Sequence, residues 1–262
     1  MSLFKKKRGT DETIKNGANL ITVADPKGPV TEQFRTIRTN INFMAVDHDI
    51  KSVAFTSANI SEGKSTVAAN VAVTYAQAGR NVLLIDADLR RPTVHKTFNL
   101  SNHVGLSTVI SSTAKEVDLD DVVQESGIDD LAILTAGPTP PNPSELIGSK
   151  RMQDFISLVE DHYDMVIIDL APVLEVSDTQ ELARRLDGVI LIVRQGKTQK
   201  AAIKRAVEML NFSKAKVLGF IMNDISSDNA GYGYGYGYGY GYGYGYGEED
   251  KKKKGFFSGR KK

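Results

Sequence analysis

The chain contains no cysteine. Disulfides, iron–sulfur ligation and thiol catalysis are therefore excluded, and a reducing compartment fits without being required. Histidine is scarce, with four residues at positions 48, 95, 103 and 162. They lack metal-ligand spacing, and no Ser-His-Asp arrangement can be drawn through them. No stretch approaches the ~20 apolar residues of a membrane span, so any membrane role must come through a partner. Residues 1–8 are basic but no apolar segment follows them, so no signal peptide is expected. Net charge is small at +1, and no nucleic-acid partner is expected.

That small charge is unevenly spread. The last fifteen residues carry seven Lys or Arg against three acids, which leaves the preceding chain net acidic. Such a basic end, with Phe256 and Phe257 inside it, fits contact with an anionic membrane face as well as a solvated tail. In other respects, 41% hydrophobic and 25% charged residues in a chain of 262 describe one soluble domain of ordinary size plus tails.

Six short apolar runs rich in branched residues read as buried strands: SVAFTS, NVLLIDAD, LAILTAG, DMVIIDL, GVILIVR and KVLGFIM. Helical patterns lie between them. Phe34, Ile37, Ile41 and Met44 recur at helical spacing, a helix is expected over 64–78, and others over 149–162, 177–186 and 198–212. Strand alternating with helix implies right-handed crossovers and an α/β fold, a mostly parallel sheet with helices on both faces. Residues 1–28 read as a flexible basic lead-in and 29–225 as the folded domain. Residues 226–262 read as a disordered tail, for want of apolar periodicity. Within that tail, GYGYGYGYGYGYGYGYG alternates eight tyrosines with nine glycines over 231–247. Its two-residue period is low complexity and not a solenoid repeat.

The strongest chemical signal is SANISEGKST, residues 57–66, between a strand and a helix. A loop there aims backbone N–H groups and the positive end of a helix dipole at phosphate. Gly63 permits close backbone approach, Lys64 would reach the β- and γ-phosphates, Ser65 would ligate Mg²⁺, and Thr66 could add a hydroxyl at the α-phosphate. Ala58 occupies the seat of the first glycine in the strict G-x-x-x-x-G-K-[ST] pattern. With Asn59, Ile60, Ser61 and Glu62, these residues form the expected ATP-binding loop. Asp86 and Asp88 in LLIDADLRR and Asp169 in VIIDLAP lie where strands run out, on the edge at which open α/β sheets bind ligands. Three such acids beside Ser65 suit Mg²⁺, which prefers oxygen ligands.

Taken together, these segments resemble the bacterial tyrosine kinases of polysaccharide export, specifically their separate cytoplasmic kinase subunit. GKST resembles Walker A, LLIDADLRRP the second aspartate motif (Walker A′), and VIIDLAP Walker B. GPTPPNPSELIGSKRM resembles the family's proline-rich segment, and EQFRTIR carries Glu32, Arg35 and Arg38 in its E-x-x-R-x-x-R subunit-contact pattern. The resemblance spans roughly residues 26–247. It implies an ATP- and Mg²⁺-dependent kinase that phosphorylates its own tail, at Tyr232, Tyr234, Tyr236, Tyr238, Tyr240, Tyr242, Tyr244 and Tyr246, mainly between subunits of a ring. It further implies a transmembrane activator that recruits the cytoplasmic kinase to the inner face of the membrane, a cognate phosphotyrosine phosphatase, and control of capsule or exopolysaccharide assembly.

By the same resemblance Lys64 stabilises the transferred phosphoryl group, Ser65, Asp88 and Asp169 hold Mg²⁺ with Asp86 close by, Asp86 accepts the phenol proton, and Asn223 meets adenine. The competing reading is a non-catalytic assembly or positioning ATPase of the same P-loop class. Such ATPases carry an extra lysine five residues before the loop lysine, where this chain has Asn59. Two departures from the family stand out. Ile60 and Ser61 replace a usual Pro-Gly, and serine is poorer than glycine at positive φ. Leu170 replaces a usual threonine and removes a hydroxyl.

Overall fold

The computed structural model describes residues 15–44, 49–112 and 118–225. All six apolar runs form strands, because branched side chains suit a sheet covered on both faces. In chain order these are β1 (Ser52–Ser57), β2 (Val82–Asp86), β4 (Leu131–Leu134), β5 (Met165–Asp169), β6 (Gly188–Arg194) and β7 (Val217–Asn223). A two-residue strand, β3 (Gln124–Glu125), joins them at one edge. The order across the sheet is β3-β4-β2-β5-β1-β6-β7, parallel throughout except for the antiparallel β3–β4 pair. From β1 the chain crosses to β2 on one side, and β6 and β7 later fill the other. Crevices for ligands open outside the carboxyl ends of strands at such a reversal.

Alternation along the strands feeds two cores. Ala54, Leu83, Ile85, Val166 and Ile168 face one way, toward α5 (Leu106–Ser111), α6 (Pro143–Gly148), α7 (Lys150–His162), α8 (Asp178–Ala183) and α9 (Lys200–Phe212). Val53, Phe55, Val82, Leu84 and Ile167 face the other way, toward α2 (Pro29–Met44) and α3 (Lys64–Ala76). Nearly every residue of α3 is buried, as befits a helix enclosed on all sides. Helix α3 ends two residues before the expected position, and α8 is shorter than the 177–186 pattern.

The lead-in expected over 1–28 is ordered from Gly17 onward, which corrects the sequence reading. The amide of the fully buried Asn70 on α3 must find partners, and this segment supplies them. Thr22, at the start of α1 (Ile21–Ala24), donates to Asn70 Oδ1 through its N–H at 3.1 Å and its hydroxyl at 2.9 Å. Asn70 Nδ2 donates to the Asn19 carbonyl at 3.0 Å. Gly17, at φ +78, lies so close to the backbone of α4 (Val94–Phe98) that a Cβ there would fall 2.5 Å from Thr97 N. The tail and all eight of its repeat tyrosines lie outside the described residues.

Candidate active site

Between β1 and α3 the loop turns on two left-handed residues, Ser61 at φ +62 and Gly63 at φ +96. The second position favours glycine by its left-handed φ, and a Cβ there would fall 2.0 Å from Asn223 Nδ2 and displace that amide. At the first, Ser61 adopts positive φ at a strain of roughly 1–2 kcal/mol. Successive backbone N–H groups along a loop that alternates in hand in this way form an anion-binding concavity. No side chain caps α3, so the N–H groups of its first turn face no protein acceptor by helix geometry. With the positive end of the helix dipole they make a seat for phosphate.

The loop is braced from behind. The buried Glu62 carboxylate accepts hydrogen bonds from the N–H and side-chain amide of Asn59, both at 3.1 Å, and from the Thr198 hydroxyl at 2.7 Å. Arg194 Nη1 donates to the Ser61 carbonyl at 3.0 Å, and Asn223 Nδ2 donates to the Glu62 carbonyl at 2.9 Å.

In front of the loop, Lys64 Nζ lies 2.9 Å from Asp88 Oδ2 and 3.4 Å from Asp169 Oδ1. Burial alone would lower the Lys64 pKa, but the fields of Asp169 and Asp88 outweigh it and raise the pKa above its ordinary value. Lys64 is therefore an ammonium at any working pH. Burial would raise Asp88, yet Lys64 and the N–H groups of Arg91 and Arg90 hold it below the usual carboxylate range. Burial raises Asp169, with Lys64 and the Ser65 hydroxyl opposing. Asp169 Oδ2 is enclosed without a hydrogen-bond partner in the protein.

Asp86 is placed differently from expectation. It is fully buried, and its oxygens accept from the N–H groups of Asp88 at 3.2 Å, Thr93 at 2.9 Å and Val94 at 3.0 Å. Burial first, then the nearby Asp169, pushes its carboxyl up to about 8. Like Asp169, it does not line the cleft. These contacts brace the β2–α4 turn, and the phenol-proton and metal roles that the sequence suggested for Asp86 are taken up as proposals below.

The cleft encloses about 860 Å³, solvent mouth included, and is lined by Ile60, Ser61, Gly63, Lys64, Ser65, Thr66, Asp88 and Asn223 among the expected residues. Ala58 lies beneath the loop in the core, while Asn59 and Glu62 stabilise the loop from within. Among the described residues no three His, Cys, Asp or Glu side chains form a protein-only metal cage, so part of any metal's shell would come from water and ligand oxygens. Candidate donors beside Lys64 are the Ser65 hydroxyl, Asp88 and the orphaned oxygen of Asp169. They fit Mg²⁺, which takes one or two carboxylates and completes its shell with water and phosphate oxygens.

Sequence reasoning missed Arg194, Thr198 and Asp224, and Arg91 also lines the cleft. Arg194 ends β6 at the edge that carries the acids, and the strand-tip rule that selected Asp88 and Asp169 would have found it. Leu170 is a core residue whose N–H donates to the Phe55 carbonyl at 2.9 Å. On α2, the exposed Glu32 pairs with the half-buried Arg35, which also donates to the Pro26 carbonyl at 2.9 Å. Arg38 donates to the carbonyl of Thr74 on α3.

Three comparisons bear on this site. Residues 50–216 match the family described as AAA domain. The tyrosine-protein kinase YwqD of Bacillus subtilis is 50% identical over 205 residues, 78% of this chain and 85% of that protein. Among solved structures, the chimerical protein CapA2B2 aligns with a TM-score of 0.74 at 37% identity, over 83% of this chain and 99% of that one. The kinase domain of the Escherichia coli tyrosine kinase ETK gives a TM-score of 0.74 at 28% identity, over 94% and 89% of the two chains.

Proposed function

The chain belongs to the bacterial tyrosine kinases, and we propose that it transfers the γ-phosphoryl group of ATP to the tyrosines of its own Gly-Tyr repeat, chiefly from one copy to another. The observation that carries this reading is the Lys64 ammonium, buried at the uncapped end of α3 between Asp88 and Asp169. A fixed cation there stabilises charge on the phosphoryl group in flight without reorganising at that moment. Ser65, Asp88 and Asp169, with Asp86 close by, would hold Mg²⁺, whose chemistry when bound is to neutralise the phosphate oxygens. Asn223, lining the cleft at the tip of β7, suits the base.

In the transfer a phenol oxygen bonds to the γ-phosphorus, the bond to the bridging oxygen breaks, and ADP leaves with that electron pair. A tyrosine pKa near 10 means that the proton must be taken up at neutral pH. The acceptor expected from the sequence is Asp86, whose raised carboxyl lies closer to the working pH than that of Asp88, which is paired with Lys64. A Gly-rich chain as long as that from the end of β7 to the middle of the repeat spans roughly 20–25 Å when unstructured, enough to enter a neighbouring subunit.

The same reading includes a ring of copies contacting through Glu32, Arg35 and Arg38, a transmembrane activator that brings the kinase to the inner membrane face, and a phosphatase that resets the tail. Its output is control of capsule or exopolysaccharide assembly. No helix among the described residues is long and apolar enough to cross a membrane, so anchorage falls to the activator. The test incubates the full chain with ATP, Mg²⁺ and the activator's cytoplasmic segment, and maps phosphotyrosine by mass spectrometry. Phosphate is expected within residues 232–246 and absent from the Lys64→Met variant. A chain that stays unmodified while binding nucleotide would point to the non-catalytic assembly ATPase.

A further inference from the structure

We infer that Arg194 is a positioning residue that holds the phosphate loop in its binding shape, an assignment that rests on the nucleotide reading above. The argument begins with Ser61. At φ +62 it occupies a conformation that an L-residue leaves unless its surroundings prevent it. Turning back to negative φ would redirect the loop's N–H and carbonyl groups and spoil the concavity. What holds the Ser61 carbonyl in place is the Arg194 guanidinium, 3.0 Å away through Nη1.

The guanidinium is itself fixed. Its Nε and Nη2 both donate to Asp224 Oδ2, at 3.1 and 2.9 Å, and its side chain is only 16% exposed. The backbone N–H of Arg194 donates to the Thr198 hydroxyl at 2.8 Å, and that hydroxyl donates to Glu62. Asn223, beside Asp224, holds the next loop carbonyl. The tips of β6 and β7 thus grip two consecutive carbonyls of the loop. A planar fork with several fixed donors bridges a carbonyl and a carboxylate in one set geometry, which the rotating ammonium of a lysine does not impose. Arg194 supplies a clamp where glycine would supply freedom, so the serine in the loop and the arginine at the strand tip form a pair.

This pairing makes a testable claim about non-additivity. Mg·ADP binding by the full chain is measured calorimetrically in four forms: unchanged, Arg194→Met, Ser61→Gly and the double variant. Loss of one charge-assisted hydrogen bond is expected to weaken binding about tenfold in the Ser61 background. The same replacement should weaken it less than about threefold in the Ser61→Gly background, where positive φ carries no penalty. In turnover assays the loss should fall on KM for ATP, with kcat held within about twofold.

An equal loss in both backgrounds would overturn the proposal and mark Arg194 as a direct nucleotide contact. So would a fall in kcat at unchanged KM. Thermal unfolding without nucleotide checks that Arg194→Met folds, and Arg194→Gln replaces it if it does not. Failure of the unchanged chain to bind Mg·ADP would sink the nucleotide reading itself, which is a separate outcome.

Discussion

Replacing Lys64 by methionine is the usual way to silence a phosphate-loop enzyme, and the structure predicts that here it also destabilises the fold. Lys64 is the buried cation nearest to Asp88 and Asp169, whose side chains are 4% and 0% exposed. Removing one partner of a buried ion pair leaves uncompensated charge and costs about 3–5 kcal/mol. For a folded unit of this size each kcal/mol moves Tm by roughly 2–4 °C, so Tm should fall by about 6–20 °C. The pH dependence has a definite sign. Without Lys64 the folded pKa values of these acids rise above the unfolded value near 3.9. The penalty is then absent below about pH 4, where the acids are neutral in both states, and grows as the pH rises. Thermal unfolding at pH 5 and pH 8, without nucleotide or divalent cation, should show the gap between the two forms widening at pH 8. Adding Asp88→Asn to Lys64→Met should recover part of the loss by removing a stranded charge. A Tm gap of under 2 °C at pH 8, or one that ignores pH, would refute the reasoning.

Other consequences follow from the same packing. Gly63→Ala should fold less stably by about 2 kcal/mol in urea titration, combining left-handed strain with the displaced Asn223 amide; stability within 0.5 kcal/mol of the parent would contradict the loop geometry. Asn70→Ala strips the buried partner from Thr22 and Asn19. It should cost about 2–3 kcal/mol and expose the chain near residue 20 to limited proteolysis, whereas unchanged proteolysis would show that the lead-in holds by other contacts. Full modification of the repeat adds about −1.5 to −2 charges per tyrosine. Light scattering should then show any ring loosening, and a fully phosphorylated chain with its assembly intact would end that switch idea.

Much of this was legible in the sequence because one physical rule governs it. Apolar runs of branched residues must be buried on both sheet faces, and polar residues at their carboxyl tips must then share one edge. That rule located β1, β2, β4, β5, β6 and β7 and brought Lys64, Ser65, Asp88, Asp169 and Asn223 together. It could not tell Asp86 from Asp88, since the difference depends on three N–H groups of the following turn that close on one carboxylate only. Arg194 was overlooked because the strand-tip rule was applied to acids alone, although Arg194 ends β6 at the same edge. The ordered lead-in escaped because its stability comes from Asn70, fifty residues away and silent in local periodicity. The short α4 and α5 and the two-residue β3 carry too few residues for a period to register.

The most direct test of the account is calorimetric titration of the intact chain with ADP, with and without Mg²⁺. One nucleotide per chain, taken up with Mg²⁺ and poorly in its absence, is the predicted result. Uptake that ignores magnesium, or none at all, would contradict the placement of a nucleotide between Lys64 and the acids at the strand tips.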